Sequence, residues 1–334
     1  MQFVVTVGRR TTGHVTRFAP PVRALIVTNM FPSPTRPALG SFVADQVAAL
    51  RRLGDAGDLE LEVFAFAPGG PRGYVRGGRR LRSSPAGRGR WDIVHAHFGL
   101  TVWPALAARA RARVVTLHGT DLVHPRSRAI TLAGLRLNDL VGVVSEPLAA
   151  LVPRWAAGGR VAVLPCGVDL HRFAPIDRAQ ARAWLGLDPA GPYLLFPADP
   201  SRPEKRHDLA LAAAGDAPLL TLGDVEPAEV PLWVNAANAV LVPSDRESFG
   251  LATLEALACD VPVLSTPVGV APEALAGVAG TLCAPFDLAT WRAALAPHLG
   301  AADPRIDGRA RAEPWSSDVM ALRVLEAWRA LLAR

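Results

Sequence analysis

Short apolar runs recur along this chain, and segments rich in glycine, proline or charged residues separate them. The runs from Ala24 to Val27 and from Ala239 to Val242 contain no polar position. Uninterrupted apolar runs of this length are typical of parallel strands that are covered on both faces. We therefore predict buried parallel strands that alternate with helices.

This alternation continues over most of the chain. Strands are predicted at 23–29, 61–67, 92–97, 113–121, 140–145, 161–164, 193–197, 219–224, 239–242, 261–269 and 280–283. Helices are predicted at 43–53, 102–111, 147–157, 207–214, 230–237 and 249–259. Strands that alternate with helices form parallel sheets in α/β proteins. The 334 residues are enough for two such domains, each with its own core.

We predict an N-terminal domain at 22–172 and a C-terminal domain at 173–315. Residues 1–21 hold an apolar stretch too short for a secretory signal, so we expect an irregular extension, which a start codon assigned too early would explain. The last segment, 316–334, carries apolar residues at three-residue intervals from Val319 to Leu331, which predicts a helix with one apolar stripe. We expect it to pack back on the N-terminal domain; a helix lying on a membrane surface is the alternative.

The stretch 243–258 combines the end of an apolar run, a polar corner and the start of a helix. Ser248 is a preferred N-cap residue, so the backbone N–H groups of Phe249, Gly250 and Leu251 should be the unpaired donors of the first turn. Such a helix start attracts anions, phosphates above all. The corner is therefore a candidate phosphate site.

Two carboxylates flank this corner. Glu247 precedes the predicted helix and Glu255 lies within it, so the rise along a helix separates them by roughly 8 to 12 Å. That distance is about the span from the sugar to the ribose of a folded nucleotide sugar. The alternative is a chance spacing, with Glu255 on an exposed helix face.

The residue types and spacing of this stretch resemble the Glu-x7-Glu signature of retaining glycosyltransferases of family 4, which have the GT-B fold. The resemblance implies two Rossmann-like, doubly wound parallel-sheet domains that face each other across a cleft. It also implies that Glu247 contacts hydroxyls of the donor sugar and that Glu255 binds the nucleotide ribose. The backbone between them would hold the sugar and the diphosphate through Ser248, Phe249, Gly250 and Leu251.

Other segments carry the same resemblance. Gly40 lies in a loop similar to the family's first loop, where it would pass close to the donor diphosphate; an ordinary turn glycine is the alternative. His118 opens a His-Gly-Thr-Asp segment that resembles a family motif whose histidine reaches the donor sugar or its phosphate. His97 and Asp121 are expected near the acceptor or behind the residues that contact substrate. A histidine satisfied within the fold is the alternative for each imidazole.

The cations of the second domain complete the predicted site. Lys205 is the one lysine among 36 basic residues. In the family the corresponding loop supplies an Arg and a Lys that neutralise the leaving diphosphate, and Lys205 matches the Lys. Pro200 stands at the position of the Arg, and we expect Arg202 to replace its charge. The resemblance thus implies catalytic roles for His118, Lys205 and Glu247.

The formal net charge of +6 and the pI near 10.1 raise the question of an anionic partner. Aromatic residues make up only 6% of the chain, and no nucleic-acid-binding signature accompanies the charge, so nucleic acid is not expected. Arginines are concentrated between Arg72 and Arg90. This segment is either a solvated connection or a basic lip that contacts an anionic acceptor or membrane.

The three cysteines lack the spacing of a metal site and suit a reducing cytoplasm, and the chain has no run of eighteen apolar residues. We expect a cytoplasmic protein that spans no membrane, with peripheral contact at the inner face as an option. No Asp-x-Asp pair is present. As the resemblance also implies, we expect no metal and no cofactor, the nucleotide sugar being a substrate.

The sequence therefore predicts a metal-independent, retaining hexosyltransferase. It would move a hexose from a UDP- or GDP-sugar to a hydroxyl of a glycan or lipid-linked acceptor, in the synthesis of cell-surface polysaccharide or glycolipid. A non-catalytic GT-B subunit that binds a partner is the first alternative. A glycoside hydrolase would also use two carboxylates, but it has no use for a phosphate site.

Overall fold

The structure is a computed structural model that describes residues 21–54, 57–223 and 225–334. The predicted N-terminal extension therefore lies, except for its last residue, outside the described part. Two parallel sheets organise the described residues.

Six parallel strands form the first sheet, in the order β2-β1-β3-β4-β5-β6. These strands are β1 (Val22–Thr28), β2 (Leu59–Ala65), β3 (Arg90–His97), β4 (Arg109–Leu117), β5 (Leu140–Val143) and β6 (Val161–Val163). Buried residues are concentrated in β1, β3, β4 and β5 because helices cover both faces of the sheet, as the apolar runs predict. The central residues of the outer strands β2 and β6 are partly exposed.

Five parallel strands form the second sheet, in the order β11-β10-β9-β7-β8. They are β7 (Leu194–Phe196), β8 (Leu219–Thr221), β9 (Ala239–Val242), β10 (Val263–Ser265) and β11 (Leu282–Cys283). Two parallel sheets with intervening helices confirm the predicted α/β class.

The α-helices of the first domain are α1 (Ser41–Gly54), α2 (Pro71–Ser83), α3 (Pro85–Arg88), α4 (Val102–Ala105), α5 (Thr120–Val123), α6 (Pro125–Leu135), α7 (Glu146–Ala150) and α8 (Arg154–Ala157). Those that follow are α9 (Arg178–Trp184), α10 (His207–Ala214), α11 (Val230–Ala236), α12 (Leu251–Ala258), α13 (Ala271–Ala274), α14 (Leu288–Leu299), α15 (Arg309–Ala312) and α16 (Ser317–Leu332). None of these helices is both long and apolar enough to cross a bilayer.

Two predicted helices differ from the structure. The helix expected at 102–111 ends at Ala105, because β4 already begins at Arg109 and pairs with β3. The helix expected at 147–157 is divided into α7 and α8. Pro153 stands immediately before α8, where a proline lacks the N–H that would continue the preceding helix.

The C-terminal helix α16 crosses back to the first domain. Its buried face, including Trp328 and Val324, lies in one cluster with Ile26 of β1 and Val43 of α1. The predicted stripe holds only in part, because Leu322 is 46% exposed. Arg52 of α1 also donates to the Asp318 carboxylate at 2.7 Å. The helix therefore covers the face of the first sheet that lies behind the site described next.

Arginines fix the crossover, the segment around residues 170–173 where the chain passes from the first domain to the second. Arg172 makes two hydrogen bonds to the Asp45 carboxylate of α1, at 3.0 and 2.8 Å. Arg309 donates to the backbone carbonyl groups of Leu170 and Phe173. These contacts hold the start of the crossover against elements of both domains.

Candidate active site

A cavity of about 540 Å³ lies between the two domains. It lies where loops that follow the strands of both sheets meet, the usual ligand position in open α/β sheets. The lining residues from the first domain are Thr120, Val123, His124, Pro125, Ser145, Pro147, Leu148 and Leu151, and those from the second are Arg202, Glu204, Lys205, Arg246, Glu247 and Ser248. Four predicted residues of the second domain, Arg202, Lys205, Glu247 and Ser248, thus line the cavity. The lining does not include the other predicted residues, which are Phe249, Gly250, Leu251 and Glu255 of the second domain and Gly40, His97, His118 and Asp121 of the first.

Lys205 and Glu247 form an ion pair at the second domain's side of this cavity. Lys205 ends the short 3₁₀ turn Pro203–Lys205, and its Nζ lies 2.6 and 2.7 Å from the two Glu247 carboxylate oxygens. The side chains are only 16% and 12% exposed. The hydroxyl of the buried Ser244 donates to Glu247 Oε1 at 2.8 Å. Glu247 is therefore held in a single orientation by two donors.

The prediction that Ser248 caps the following helix is wrong. Helix α12 begins at Leu251, its N-cap position is Gly250, and no side chain caps it. Gly250 has φ +95°, a left-handed conformation that suits glycine, and this turn delays the helix start. Phe249 is 7% exposed and packs in the core, so its side chain is not available to a ligand.

The unpaired backbone donors expected at this corner are nevertheless present. Within the described residues, the N–H groups of Ser248, Phe249, Gly250 and Leu251 donate to no other group. Backbone donors without partners beside a helix start are the usual basis of phosphate binding. The corner therefore offers oriented N–H groups near the Lys205 ammonium.

Ser248 contacts the first domain instead of capping the helix. A Cβ atom added to Gly119 would lie 2.0 Å from Ser248 Oγ. Gly119 has φ +111° and directly follows His118, so the loop after β4 touches the Glu247 corner. The two predicted motifs meet across the cleft at this contact.

His118 lies in a group of stacked rings. Its imidazole is partly exposed and packs between Phe42 and Phe98, with ring centroids 4.9 and 4.7 Å away. Its Nε2 lies 3.0 Å from Nδ1 of His97. Burial and the neighbouring His97 lower the pKa of His118 well below its usual range. His118 is therefore a neutral polar group at neutral pH.

His97 and Asp121 are buried behind His118. His97 is 0% exposed and Asp121 is 6% exposed. The Asp121 carboxylate accepts hydrogen bonds from the backbone N–H groups of His118 and Gly99, at 2.7 and 3.2 Å. Burial raises the pKa of Asp121 to about 6. Of the two predicted roles, the geometry favours support of His118 over direct contact with an acceptor.

Glu255 lies on α12, close enough to Asp45 of the first domain and Arg172 of the crossover to feel both charges. Burial raises the pKa of Glu255 to about 7; the Arg172 guanidinium opposes this rise and Asp45 adds to it. Within the described residues the Glu255 carboxylate has no hydrogen-bond partner. A partly buried carboxylate without a hydrogen-bond partner suits a ligand that supplies hydroxyl groups.

A close backbone contact explains why residue 40 is a glycine. It has φ +69°, and a Cβ atom would lie 2.3 Å from the carbonyl oxygen of Met30. The tight approach to the Met30 backbone accounts for a glycine here without any ligand. Gly40 immediately precedes α1, which carries Asp45.

Arg202 lines the cavity but is engaged elsewhere in the structure. Its guanidinium lies 2.7 Å from the Glu204 carboxylate and is 54% exposed. Arg246 also lines the cavity and is exposed, and it has no carboxylate partner among the described residues. Sequence reasoning missed both Arg246 and Ser244, although each is a neighbour of Glu247 along the chain.

Metal-binding side chains do not cluster in the described ranges: no group of three His, Cys, Asp or Glu residues could hold an ion there. The charged and polar groups of the site are the Lys205 ammonium, the guanidinium groups of Arg202 and Arg246, several free N–H donors, the carboxylates of Glu204, Glu247 and Glu255, and the neutral imidazole of His118. Metal independence itself remains a prediction.

Comparisons with known proteins show similarity to glycosyltransferases. Profiles described as "Glycosyltransferase Family 4" and "Glycosyl transferases group 1" match residues 39–172 and 197–299. D-inositol 3-phosphate glycosyltransferase of Mycolicibacterium paratuberculosis is 32% identical over 84% of this chain and 73% of its own length. The protein of the same name from Frankia alni is 32% identical over 61% of this chain and 64% of its own length.

The chain therefore spans roughly two thirds of the length of these relatives. Among solved structures, HepE from Anabaena in complex with UDP-glucose has a TM-score of 0.67 and 16% identity, over 92% of this chain and 99% of that one. This likeness confirms the GT-B fold.

Proposed function

This chain belongs to glycosyltransferase family 4, and we propose that it moves a hexose from a nucleoside diphosphate sugar to an acceptor hydroxyl with retention at the anomeric carbon. The observation that carries the proposal is the position of Lys205. Its ammonium lies beside the unpaired N–H groups of the Glu247 corner, in a cavity closed by the first domain.

The chemistry explains why these groups are needed together. Cleavage of the sugar–phosphate bond leaves negative charge on the diphosphate, and preplaced donors stabilise that charge as it develops. Lys205 and the N–H groups from Ser248 to Leu251 are preplaced in this sense. Glu247 would accept hydrogen bonds from sugar hydroxyls, and Glu255 from those of the ribose. None of these carboxylates needs to act as a base, since the departing phosphate can accept the proton of the acceptor hydroxyl.

The donor proposal is supported by the solved neighbour that contains UDP-glucose. The acceptor has two candidate classes. A glycan or lipid-linked hydroxyl, in polysaccharide or glycolipid synthesis, follows from the sequence prediction. A phosphorylated cyclitol follows from the printed name of the relatives, D-inositol 3-phosphate glycosyltransferase.

The test has two steps. Thermal-shift screening against UDP, GDP, ADP and their sugars should identify one base whose diphosphates stabilise the protein. Donor consumption is then measured with D-inositol 3-phosphate and with a lipid extract as acceptors. We expect Lys205→Ala to lower turnover by a factor on the order of 10²–10³ while the protein stays folded. A non-catalytic binding subunit would consume no donor with either acceptor, and near-normal turnover of Lys205→Ala would contradict the diphosphate role.

We also propose that helix α2 contacts an anionic membrane surface. Its arginines at positions 72, 76, 79, 80 and 82 are all exposed, and Val75 beside them is 56% exposed. Each arginine near an anionic surface contributes on the order of 1 kcal/mol, and salt screens this attraction. We expect cosedimentation with phosphatidylglycerol vesicles at low salt and none with phosphatidylcholine. Binding that persists in Arg76→Ser/Arg79→Ser/Arg80→Ser would contradict this role of α2.

A further inference from the structure

Three imidazoles are stacked in a row from the core of the first domain to the cleft. The rings of His95 and His97 are 4.6 Å apart and inclined by 21°, and those of His97 and His118 are 5.3 Å apart and inclined by 23°. His95 and His97 are fully buried, whereas His118 is partly exposed. The proposed function makes no direct use of the two inner rings.

The nitrogen atoms of this row are unequally paired. His95 Nε2 lies 2.8 Å from Thr116 Oγ1, and His97 Nδ1 lies 3.0 Å from His118 Nε2. The other nitrogen of His97, Nε2, is buried and has no partner among the described residues. His118 Nδ1 makes no hydrogen bond in the described part of the chain and is not among its buried, unpartnered atoms. This nitrogen therefore retains some exposure and is available to a ligand.

Each ring of the row carries a single N–H at neutral pH. Burial lowers the pKa of His97 to about 3, and it lowers the pKa values of His95 and His118 well below their usual range. A neutral imidazole has one N–H donor and one lone-pair acceptor. The bond between His97 and His118 thus allows two arrangements.

In the first arrangement, His97 Nδ1–H donates to His118 Nε2, and the unpartnered Nε2 of His97 is a bare lone pair. In the second, His118 Nε2–H donates to His97 Nδ1, and the unpartnered Nε2 of His97 carries a hydrogen. Buried N–H groups without a partner are rarer than acceptors without one. That N–H would lie in the plane of the His97 ring, whereas the His95 ring lies over the face of the His97 ring. The stacked His95 ring therefore cannot accept a hydrogen bond from it. The first arrangement is favoured.

We propose that His97 is a positioning residue that fixes the tautomer of His118, so that His118 presents a neutral Nδ1–H donor to the cleft. The ligand atom opposite is then a hydrogen-bond acceptor, such as an oxygen of a sugar or of a phosphate. The identity of this ligand rests on the proposed function, but the tautomer does not.

The direct test is ¹⁵N NMR of the histidine side chains in the unsubstituted protein without ligand at pH 7.5, with the His118 signals identified by their loss in His118→Gln. Two-bond correlations distinguish the two tautomers. The proposal predicts that His118 is protonated at Nδ1. Protonation at Nε2 would overturn it, whatever the protein's activity.

Variants separate tautomer control from packing. His97→Asp replaces the donor with an acceptor, and we expect His118 Nε2 to gain a hydrogen that it donates to the new carboxylate. His97→Asn has nearly the same shape but keeps an amide N–H near the Nδ1 position and should retain the Nδ1–H form. His95→Leu removes an equally buried ring that does not bond to His118, so it is the packing control and should also retain that form. A His118 Nε2 that stays without a hydrogen in His97→Asp would overturn the assignment.

The binding readout is the affinity for the nucleotide sugar that the screen identifies. Loss of one hydrogen bond lowers affinity by about tenfold. We expect that decrease for His97→Asp, with His97→Asn and His95→Leu within about twofold of the unsubstituted protein. Equal losses in His97→Asp and His97→Asn, or in His97→Asp and His95→Leu, would show a packing effect and contradict the positioning role.

Discussion

The ammonium of Lys205 lies 2.6 Å from one carboxylate oxygen of Glu247 and 2.7 Å from the other. The cation assigned to the diphosphate and the carboxylate assigned to the sugar therefore neutralise each other in the structure. A donor that binds between them must replace this ion pair with its own phosphate and hydroxyl groups. The pair keeps each charge compensated until the donor enters.

Glu247→Gln separates these two roles. The change frees Lys205 from its partner, so we expect nucleoside diphosphate to bind severalfold more tightly. Turnover of the nucleotide sugar should nevertheless fall by a factor on the order of 10², because the carboxylate no longer binds the sugar hydroxyls. Calorimetry and donor-consumption assays measure the two effects. Asp208→Asn, at the exposed ion pair with Arg206 outside the cavity lining, is the control, and equal effects in both variants would count against the assignment.

Gly119→Ala tests the contact between the two motif loops. The new Cβ would meet Ser248 Oγ at 2.0 Å and Ser248 Cβ at 2.8 Å, and φ +111° is strained for alanine. We expect a lower melting temperature and a loss of donor turnover. Ser248→Gly removes both contacting atoms, so the double variant should recover part of the stability but retain about 1–3 kcal/mol of backbone strain. No recovery in the double variant would show that the Ser248 contact is unimportant.

Glu255 makes stability depend on pH. Its pKa is raised from 4.5 to about 7, so the unfolded state releases this proton first, and stability is lost as pH rises from about 4.5 to 7. Glu255→Gln cannot ionise and should gain stability relative to the unsubstituted protein over that window, by on the order of 3 kcal/mol. Urea unfolding at pH 5 and pH 8 measures the difference. A constant difference between the two pH values would contradict the raised pKa.

Asp121→Asn tests the support of His118. The Asp121 carboxylate accepts the backbone N–H of His118, whereas an amide group would present hydrogens to at least one of its present donors. We expect the free energy of unfolding to fall by about 1–3 kcal/mol at pH 8 and donor turnover to fall with it. Denaturant unfolding and donor consumption measure both. If turnover were unchanged in the folded variant, Asp121 would have no part in placing His118.

Much of the fold follows from apolar periodicity alone. Helix α10 (His207–Ala214) has the predicted bounds, and β9 is the predicted run from Ala239 to Val242. Both segments are short and mostly apolar, and a polar residue precedes each of them, while Gly215 follows α10 and Pro243 follows β9. Local patterning thus placed the loops that carry Lys205 and Glu247.

Other features depend on contacts that local patterns do not contain. Ser248 has the chemistry of a helix cap, but its place is set by the backbone of Gly119 in the other domain. Asp121 is likewise held by the backbone N–H of Gly99, 22 residues before it in the chain, and the ring of His95 packs against Trp328 of α16. The Lys205–Glu247 pair joins two loops whose approach only the folded second sheet defines.

The most direct test of the account compares nucleoside diphosphate with nucleoside monophosphate of the same base, by calorimetry, in the unsubstituted protein and in Lys205→Gln. Charge-assisted hydrogen bonds to the second phosphate should make the diphosphate bind about tenfold to a hundredfold more tightly, and Lys205→Gln should lose most of this preference. Arg206→Gln, whose side chain pairs with Asp208 and Asp245, should keep it. Equal binding of the two nucleotides, or an unchanged preference in Lys205→Gln, would contradict a diphosphate held between Lys205 and the Glu247 corner.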